Sequence, residues 1–205
     1  MRVGYLVSSH VSYAVPRAHL LRTLGGLSYR VVIGEGGERQ VTAEGVAVPY
    51  RAFDYTALID YAEHPADYPD WTHIFLLHDT CEAGPDMDRL VHTADPQARA
   101  TAVWGGQCNL ALYRADELRR QAGAIAALKG CTKTQSVARE GFLWRTLPPA
   151  ERGHYAGGCV EGLPVPVYGG ALRMPEHYTG VDLIKYKANW GQNATQAEAR
   201  WIIQP

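Results

Sequence analysis

The chain has 205 residues, 46% of them hydrophobic, 10% aromatic and 20% charged. That length supports one substantial core and excludes two full domains. Lys and Arg number 20 against 21 Asp and Glu, so the formal net charge is -1. This excludes the basic excess expected of a nucleic-acid binder or of a protein held on an anionic membrane surface. Twelve Tyr against three Phe suggest half-polar pocket walls, because tyrosine joins an apolar body to a polar tip.

The opening MRVGYLVSSH reads as a strand over residues 1–7 and not as a leader, since Ser8, Ser9 and His10 close its short apolar run. Its continuous apolarity predicts cover on both faces. A helix is expected over 16–24, with Pro16 in its first turn and Gly25-Gly26 as its stop. A second strand over 30–33 ends at Gly34-Glu35-Gly36-Gly37, and an edge strand is expected within 41–49. Residues 54–63 place Tyr55, Leu58, Ile59 and Ala62 at helical spacing. THIFLL, residues 72–77, is the clearest strand and runs into His78-Asp79-Thr80. A short helix over 86–92 and a strand over 102–104 follow, then an extended segment over 109–113. Helices are expected over 116–129, with Leu118, Ile125 and Leu128 as the buried face, and over 136–147. Short strands and loops fill the glycine- and proline-rich stretch beyond, before a tail helix over 194–202.

No stretch approaches the roughly 20 apolar residues of a membrane span, and a cytoplasmic protein is expected. Cys81, Cys108, Cys131 and Cys159 are widely spaced and form no CxxC pair, so reduced thiols are expected.

Alternating strands and helices predict an α/β three-layer sandwich with a mostly parallel central sheet. Ligands of such sheets sit at the carboxyl ends of the strands. Ser8-Ser9-His10, Gly34-Glu35 and His78-Asp79-Thr80 would converge there. A carboxylate such as Asp79 suits a divalent cation, Mg²⁺ by its oxygen ligands or Mn²⁺ if an imidazole joins. The simpler role for Asp79 is to cap the next turn. Asp54 has the matching alternative of a helix cap.

The succession VGYLVSSH, helix, VVIGE, FDYTAL and THIFLLHDT resembles the GT-A-fold nucleotide-sugar glycosyltransferases over roughly residues 1–120. In that family a D-x-D motif presents carboxylates to the metal and the nucleotide diphosphate. Here His78-Asp79-Thr80 stands in its place, with one acid. The resemblance implies a single domain, with residues 1–100 as the nucleotide-binding half and 101–205 as the acceptor-side half and lid. It implies that His78, Asp79 and His177 hold Mn²⁺ or Mg²⁺. Ser8, His10 and Tyr13 would meet the base and ribose, and Gly34, Glu35, Asp54 and Tyr55 would flank the nucleoside. CNLALYRADEL resembles the acceptor-side segment, through Asn109, Tyr113 and Arg114.

The donor would be a sugar nucleotide and the acceptor a hydroxyl compound. Such a transfer needs a base for the acceptor hydroxyl if the anomeric centre inverts, and Glu140 is the candidate. Arg173, Lys185 and Lys187 are candidate cations for the diphosphate. Two other readings stay open. Cys108, after Gly105-Gly106, could be the nucleophile of a cysteine hydrolase with His78 or His154 as base. The scaffold could also bind a nucleotide without turning it over.

Overall fold

A computed structural model describes residues 1–106, 109–162, 165–166, 172–173 and 175–186. The first strand, β1 (Val3–His10), is buried at all eight positions. Helix α1 (Ala14–Leu24) follows a 3₁₀ turn at Val11–Tyr13 and stops at Gly25, whose φ of 55° few other residues tolerate. Then come β2 (Tyr29–Gly34), the short β3 (Gln40–Val41) and β4 (Val46–Ala47), and α2 (Thr56–Glu63) behind a 3₁₀ turn at Phe53–Tyr55. Strand β5 (His73–His78) leads directly into β6 (Cys81–Ala83) and α3 (Met87–Val91). The expected strand over 102–104 is β7 (Ala100–Ala102), and the extended segment after it is β8 (Ala111–Arg114).

The single helix expected over 116–129 is two: α4 (Ala115–Arg120) and α5 (Ala122–Ala126), divided at Gln121. Leu118, Ile125 and Leu128 are buried as their spacing implies. The segment over 136–147 is likewise divided, into α6 (Lys133–Ala138) and α7 (Phe142–Arg145), with Gly141 between them. The remaining strands are β9 (Arg152–His154), β10 (Cys159–Glu161), β11 (Val165–Pro166), β12 (Leu172–Arg173), β13 (Glu176–Tyr178) and β14 (Leu183–Lys185). The tail helix expected over 194–202 lies outside the described residues.

The fold is α/β. Its main sheet has eight strands in the order β3-β4-β2-β1-β5-β8-β7-β9. The run β4-β2-β1-β5 is parallel throughout. Strand β8 lies antiparallel to both β5 and β7, β9 is parallel to β7, and β3 closes the far edge antiparallel to β4, so the sheet is mixed. A second, antiparallel sheet joins β10-β13-β14-β6. The main sheet separates two apolar cores. Leu6, Ile74, Leu76 and Tyr113 face Leu58 of α2, Leu118 of α4 and Ile125 of α5. Tyr5, Val7, Phe75 and Leu77 face Leu20 of α1, Met87 of α3 and the second sheet. Cover on both faces is why β1 and β5 read as unbroken apolar runs. No helix among the described residues is long and apolar enough to cross a membrane. Cys81 is a buried free thiol.

Two buried contacts fix the frame. Asp60 of α2 is fully buried and accepts from Arg39 at 2.7 Å and from the Tyr68 hydroxyl at 2.6 Å, so its charge is paired. The Trp71 indole lies against Gly4 of β1 and donates to Ser28 Oγ at 2.9 Å, and a Cβ at Gly4 would overlap that ring. Gly4→Ala is expected to destabilise the fold by about 3 kcal/mol in urea titration, from overpacking. Gly26→Ala, where a Cβ meets open space, should leave stability unchanged or raise it by about 0.5 kcal/mol.

Candidate functional site

The parallel strands β1, β2 and β5 end in register: Ser8 stands beside His78 on one side, and His10 beside Gly34 on the other. Their last residues carry the polar groups of the site. Alternation along β1 sends Ser8 and Ser9 to opposite faces. Ser8 Oγ donates to the Asp54 carbonyl at 2.8 Å and accepts the Ala57 N–H at 3.0 Å. It thereby ties the start of α2 to β1. Ser9 Oγ donates to Asp79 Oδ2 at 2.8 Å and accepts from Arg17 Nη1 at 3.2 Å. The same guanidinium reaches the His10 carbonyl at 3.2 Å.

Asp79 is wholly buried, and its backbone N–H is held by the Ser8 carbonyl at 3.1 Å. Its Oδ1 has no hydrogen-bond partner among the described residues. Burial pushes the Asp79 carboxyl up to about 7; the Ser9 hydroxyl opposes this, the charge of Asp54 adds to it, and Arg17 opposes it. Asp54 is buried as well, and its Oδ2 accepts from Asn109 Nδ2 at 3.2 Å. Asp54 is no helix cap: it lies inside the 3₁₀ turn, and Tyr55 takes the cap position without a side-chain bond. The oxygen of the buried Asn109 amide, Oδ1, has no partner among the described residues.

His10 is fixed on both nitrogens. Nδ1 accepts from the Ser12 N–H at 3.1 Å, so Nε2 carries the proton it shares with Glu35 Oε2 at 2.5 Å. That bond holds the Glu35 carboxyl below its ordinary value. Glu35 has a φ of 58°, a left-handed conformation unusual outside glycine, and Phe53, next to Asp54, has a φ of 55°. The Tyr13 ring lies edge-on to His10, and burial, then the charge of Asp79, raises its hydroxyl. Arg51 rests over the Phe53 ring at 4.8 Å, and its charge is felt at Glu35 and Tyr13.

Ser8, His10, Tyr13, Gly34, Glu35, Asp54, Asp79 and Asn109 thus gather at one edge. Several expected partners do not. Tyr55 and Tyr113 are core residues, Tyr55 edge-on to Phe142 and Tyr113 between Ile74 and Ala100 in the sheet. Arg114 stands opposite His73, at the other end of β5, and pairs with Asp116 at 3.0 Å. It lines an open cleft of about 460 Å³ at that far edge, with His73 and Arg119. The expected acceptor group of Asn109, Tyr113 and Arg114 is therefore divided between two edges and the core, because a strand four residues long carries its ends apart.

The expected metal ligands are also separated. His78 Nδ1 lies 2.9 Å from Thr80 Oγ1, and His177 Nε2 lies 3.1 Å from Asp182 Oδ1. Among the described residues no three His, Cys, Asp or Glu side chains are grouped to hold a metal. Lys185 ends β14 opposite Cys81, two residues past Asp79. Glu140 is half-buried in the turn after α6, next to Gly141, where a Cβ would lie 3.2 Å from the Gly106 carbonyl. Lys187, Cys108 and the Arg173 side chain lie outside what is described. His154, the other candidate base for Cys108, is edge-on to Trp144 at 4.8 Å.

Arg17 and Arg51 are site residues that the sequence reading misses. The available signal was an arginine in the first turn of the helix after β1, where a long side chain can reach back to the strand end. No family model matches the chain, and no curated protein matches it.

Asp79 gives the site a testable pH signature. A carboxyl raised in the fold stabilises fully below its unfolded value of about 4, and that contribution is lost as pH rises through about 7. The wild type should lose about 3 kcal/mol between pH 5 and 8 that Asp79→Asn does not lose. Urea midpoints of both proteins at the two pH values check this.

Proposed function

We propose that the chain binds a nucleotide-diphosphate sugar at the carboxyl ends of β1, β2 and β5 and transfers the sugar to a hydroxyl acceptor. The scaffold would be GT-A-like, three-layered around a sheet whose central strands are parallel. The observation that carries the reading is Asp79: a buried carboxyl at the end of β5 with an oxygen lacking a donor among the described residues, near a second buried carboxyl, Asp54. An apolar or amide side chain there would stabilise the fold better, so a carboxyl kept at that strand end points to a ligand.

The roles follow from the chemistry of each group. A departing diphosphate needs positive charge, and Arg17 is anchored beside Asp79 through Ser9. Arg51 and Lys185 are the further cations flanking this edge. Glu35, oriented by His10, can accept from ribose hydroxyls, since its side chain is about half exposed while its partner is buried. Tyr13 supplies an aromatic wall beside His10. Oxygen donors from Asp79 and Asp54 fit Mg²⁺ or Mn²⁺, hard cations that prefer such ligands. Such an ion would supply charge neutralisation at the diphosphate. Binding it would require Asp79 to give up its proton. Glu140 remains the candidate base, its turn following α6, which packs on the Phe53–Tyr55 turn.

One observation favours the second reading, nucleotide binding without transfer. Burial favours the protonated form of Asp79, and a cation would have to displace that proton to bind. The two readings separate in a thermal-shift panel of sugar nucleotides with and without Mn²⁺. Transfer predicts a shift of several degrees that needs Mn²⁺ and is lost in Asp79→Asn, with slow release of the sugar. A metal-independent shift with no sugar release identifies a binding protein. No shift with any nucleotide would sink both.

A further inference from the structure

We propose that the segment Thr132–Glu140, which carries α6, is a gate that swings off the Phe53–Tyr55 turn to let a ligand reach Asp54. That the ligand is a nucleotide rests on the reading above; the gate itself rests on how α6 is held.

The strand-end site has a problem of access. Asp54 is 3% exposed, and Asp79 and Asn109 are 0% exposed. A ligand that contacts these side chains needs a covering element to move first. Asp54 lies inside the 3₁₀ turn on which α6 packs.

Little holds α6 there. Of the side chains described in α6, only that of Ser136 is buried, and its Oγ has no hydrogen-bond partner among the described residues. Val137, the largest apolar residue of the helix, is 49% exposed. Docking therefore gains little apolar burial and leaves a hydroxyl desolvated, which works against the docked position. The neighbouring α7 is the opposite case: Leu143 is buried, and Phe142 lies edge-on to Tyr55 with ring centres 6.0 Å apart. Local opening is easiest where apolar burial is least, which is at α6 and not at α7.

The segment is also built to move as one piece. Thr132 and Gln135 form a reciprocal capping box at its start. The Ser136 N–H bonds to the Thr132 carbonyl at 2.9 Å, that of Arg139 to Ser136 at 3.1 Å and that of Glu140 to Val137 at 3.2 Å. These bonds close within the segment, so undocking leaves them intact. Glycines stand at both ends. Gly130 has a φ of 78° and open space where a Cβ would lie, and Gly141 separates the segment from α7. Such small residues suit the hinges of a lid. Glu140 travels with the gate, so on the transferase reading closure delivers the candidate base as it excludes water.

The test places a thiol under the gate, Asp54→Cys, and follows its alkylation by iodoacetamide with mass spectrometry, using the buried Cys81 of the same molecule as the internal standard for unfolding. The new thiol should react well ahead of Cys81. Adding Ser136→Ala removes the unsatisfied hydroxyl, favours the docked helix and should slow that reaction about five-fold. Adding Ser136→Asp puts a charge under the helix and should speed it about ten-fold. Reaction no faster than that of Cys81, or a rate indifferent to residue 136, overturns the gate. Should Asp54→Cys fail to fold, hydrogen exchange of the Ser136, Arg139 and Glu140 amides decides instead. Ser136→Ala must slow it more than Thr134→Ala, an exposed position of the same helix that controls for helix propensity; equal slowing overturns the gate. UDP and GDP thermal shifts with Mn²⁺ on the otherwise unaltered chain separate the two proposals. A thiol gated by residue 136 without nucleotide binding keeps the gate and removes the transferase reading, and nucleotide binding with an ungated thiol does the reverse.

Discussion

The carboxyl end of β1 has to satisfy three consecutive polar side chains in a place that admits almost no water. Ser8, Ser9 and His10 are buried with the rest of the strand, so each needs a partner inside the protein. Because they alternate across the sheet, the partners come from both layers. Ser8 captures the start of α2 and thereby sets Asp54. Ser9 holds Asp79 and, through Arg17, the first turns of α1. His10 holds Glu35 at the end of β2. One strand end thus positions residues from four elements, and everything proposed about function depends on that convergence.

The arrangement is poor as a stabilising device. Burial of Asp79, with the charge of Asp54 adding to it, outweighs the help of Ser9 and Arg17, so Asp79 keeps its proton far above the ordinary range. The contrast with Asp60 is instructive. There Arg39 and Tyr68 satisfy the buried carboxylate fully, which is what a structural acid requires. The backbone around the site is strained as well. Glu35 and Phe53 both adopt left-handed conformations that disfavour side chains by about 1–2 kcal/mol each. The strained Phe53 adjoins the buried Asp54 and the strained Glu35 is bonded to the buried His10, and strain of that kind gathers where a ligand is held.

Much of the first half was legible in the sequence, since unbroken apolar runs such as 72–77 belong to strands covered on both faces. The polar clusters at the ends of β1, β2 and β5 followed from those runs alone. The helices of the second half were legible in their buried positions but not in their breaks. Gln121 and Gly141 divide them where local propensity hardly changes, so packing sets the boundary. Arg114 lies away from the strand ends that carry Asp79, because adjacency in sequence is not adjacency in space. Asn109 precedes the short antiparallel β8 by two residues and Arg114 ends it, and only Asn109 reaches Asp54. The rest of the site was hidden in residues whose side chains reach back across the fold. Arg17 and Arg51 belong to no motif, and their place depends on where α1 and the 3₁₀ turn before α2 land.

The second sheet clamps the chain just past Asp79. Asp79 and Thr80 form the crossing where the chain leaves β5 of the main sheet and enters β6 of the other. Strand β14 then pairs with β6 from about a hundred residues away, and the Tyr186 N–H bonds to the Thr80 carbonyl at 2.8 Å. The Tyr186 hydroxyl closes on Glu82 at 2.6 Å, and the same Glu82 oxygen meets His19 of α1 at 3.0 Å. The crossing is therefore clamped from both sides by contacts distant in sequence. The same register sets Lys185 opposite Cys81, two residues past Asp79. One long-range strand pairing, β14 on β6, thus anchors both the turn that follows Asp79 and the strand end that carries a candidate phosphate-binding cation.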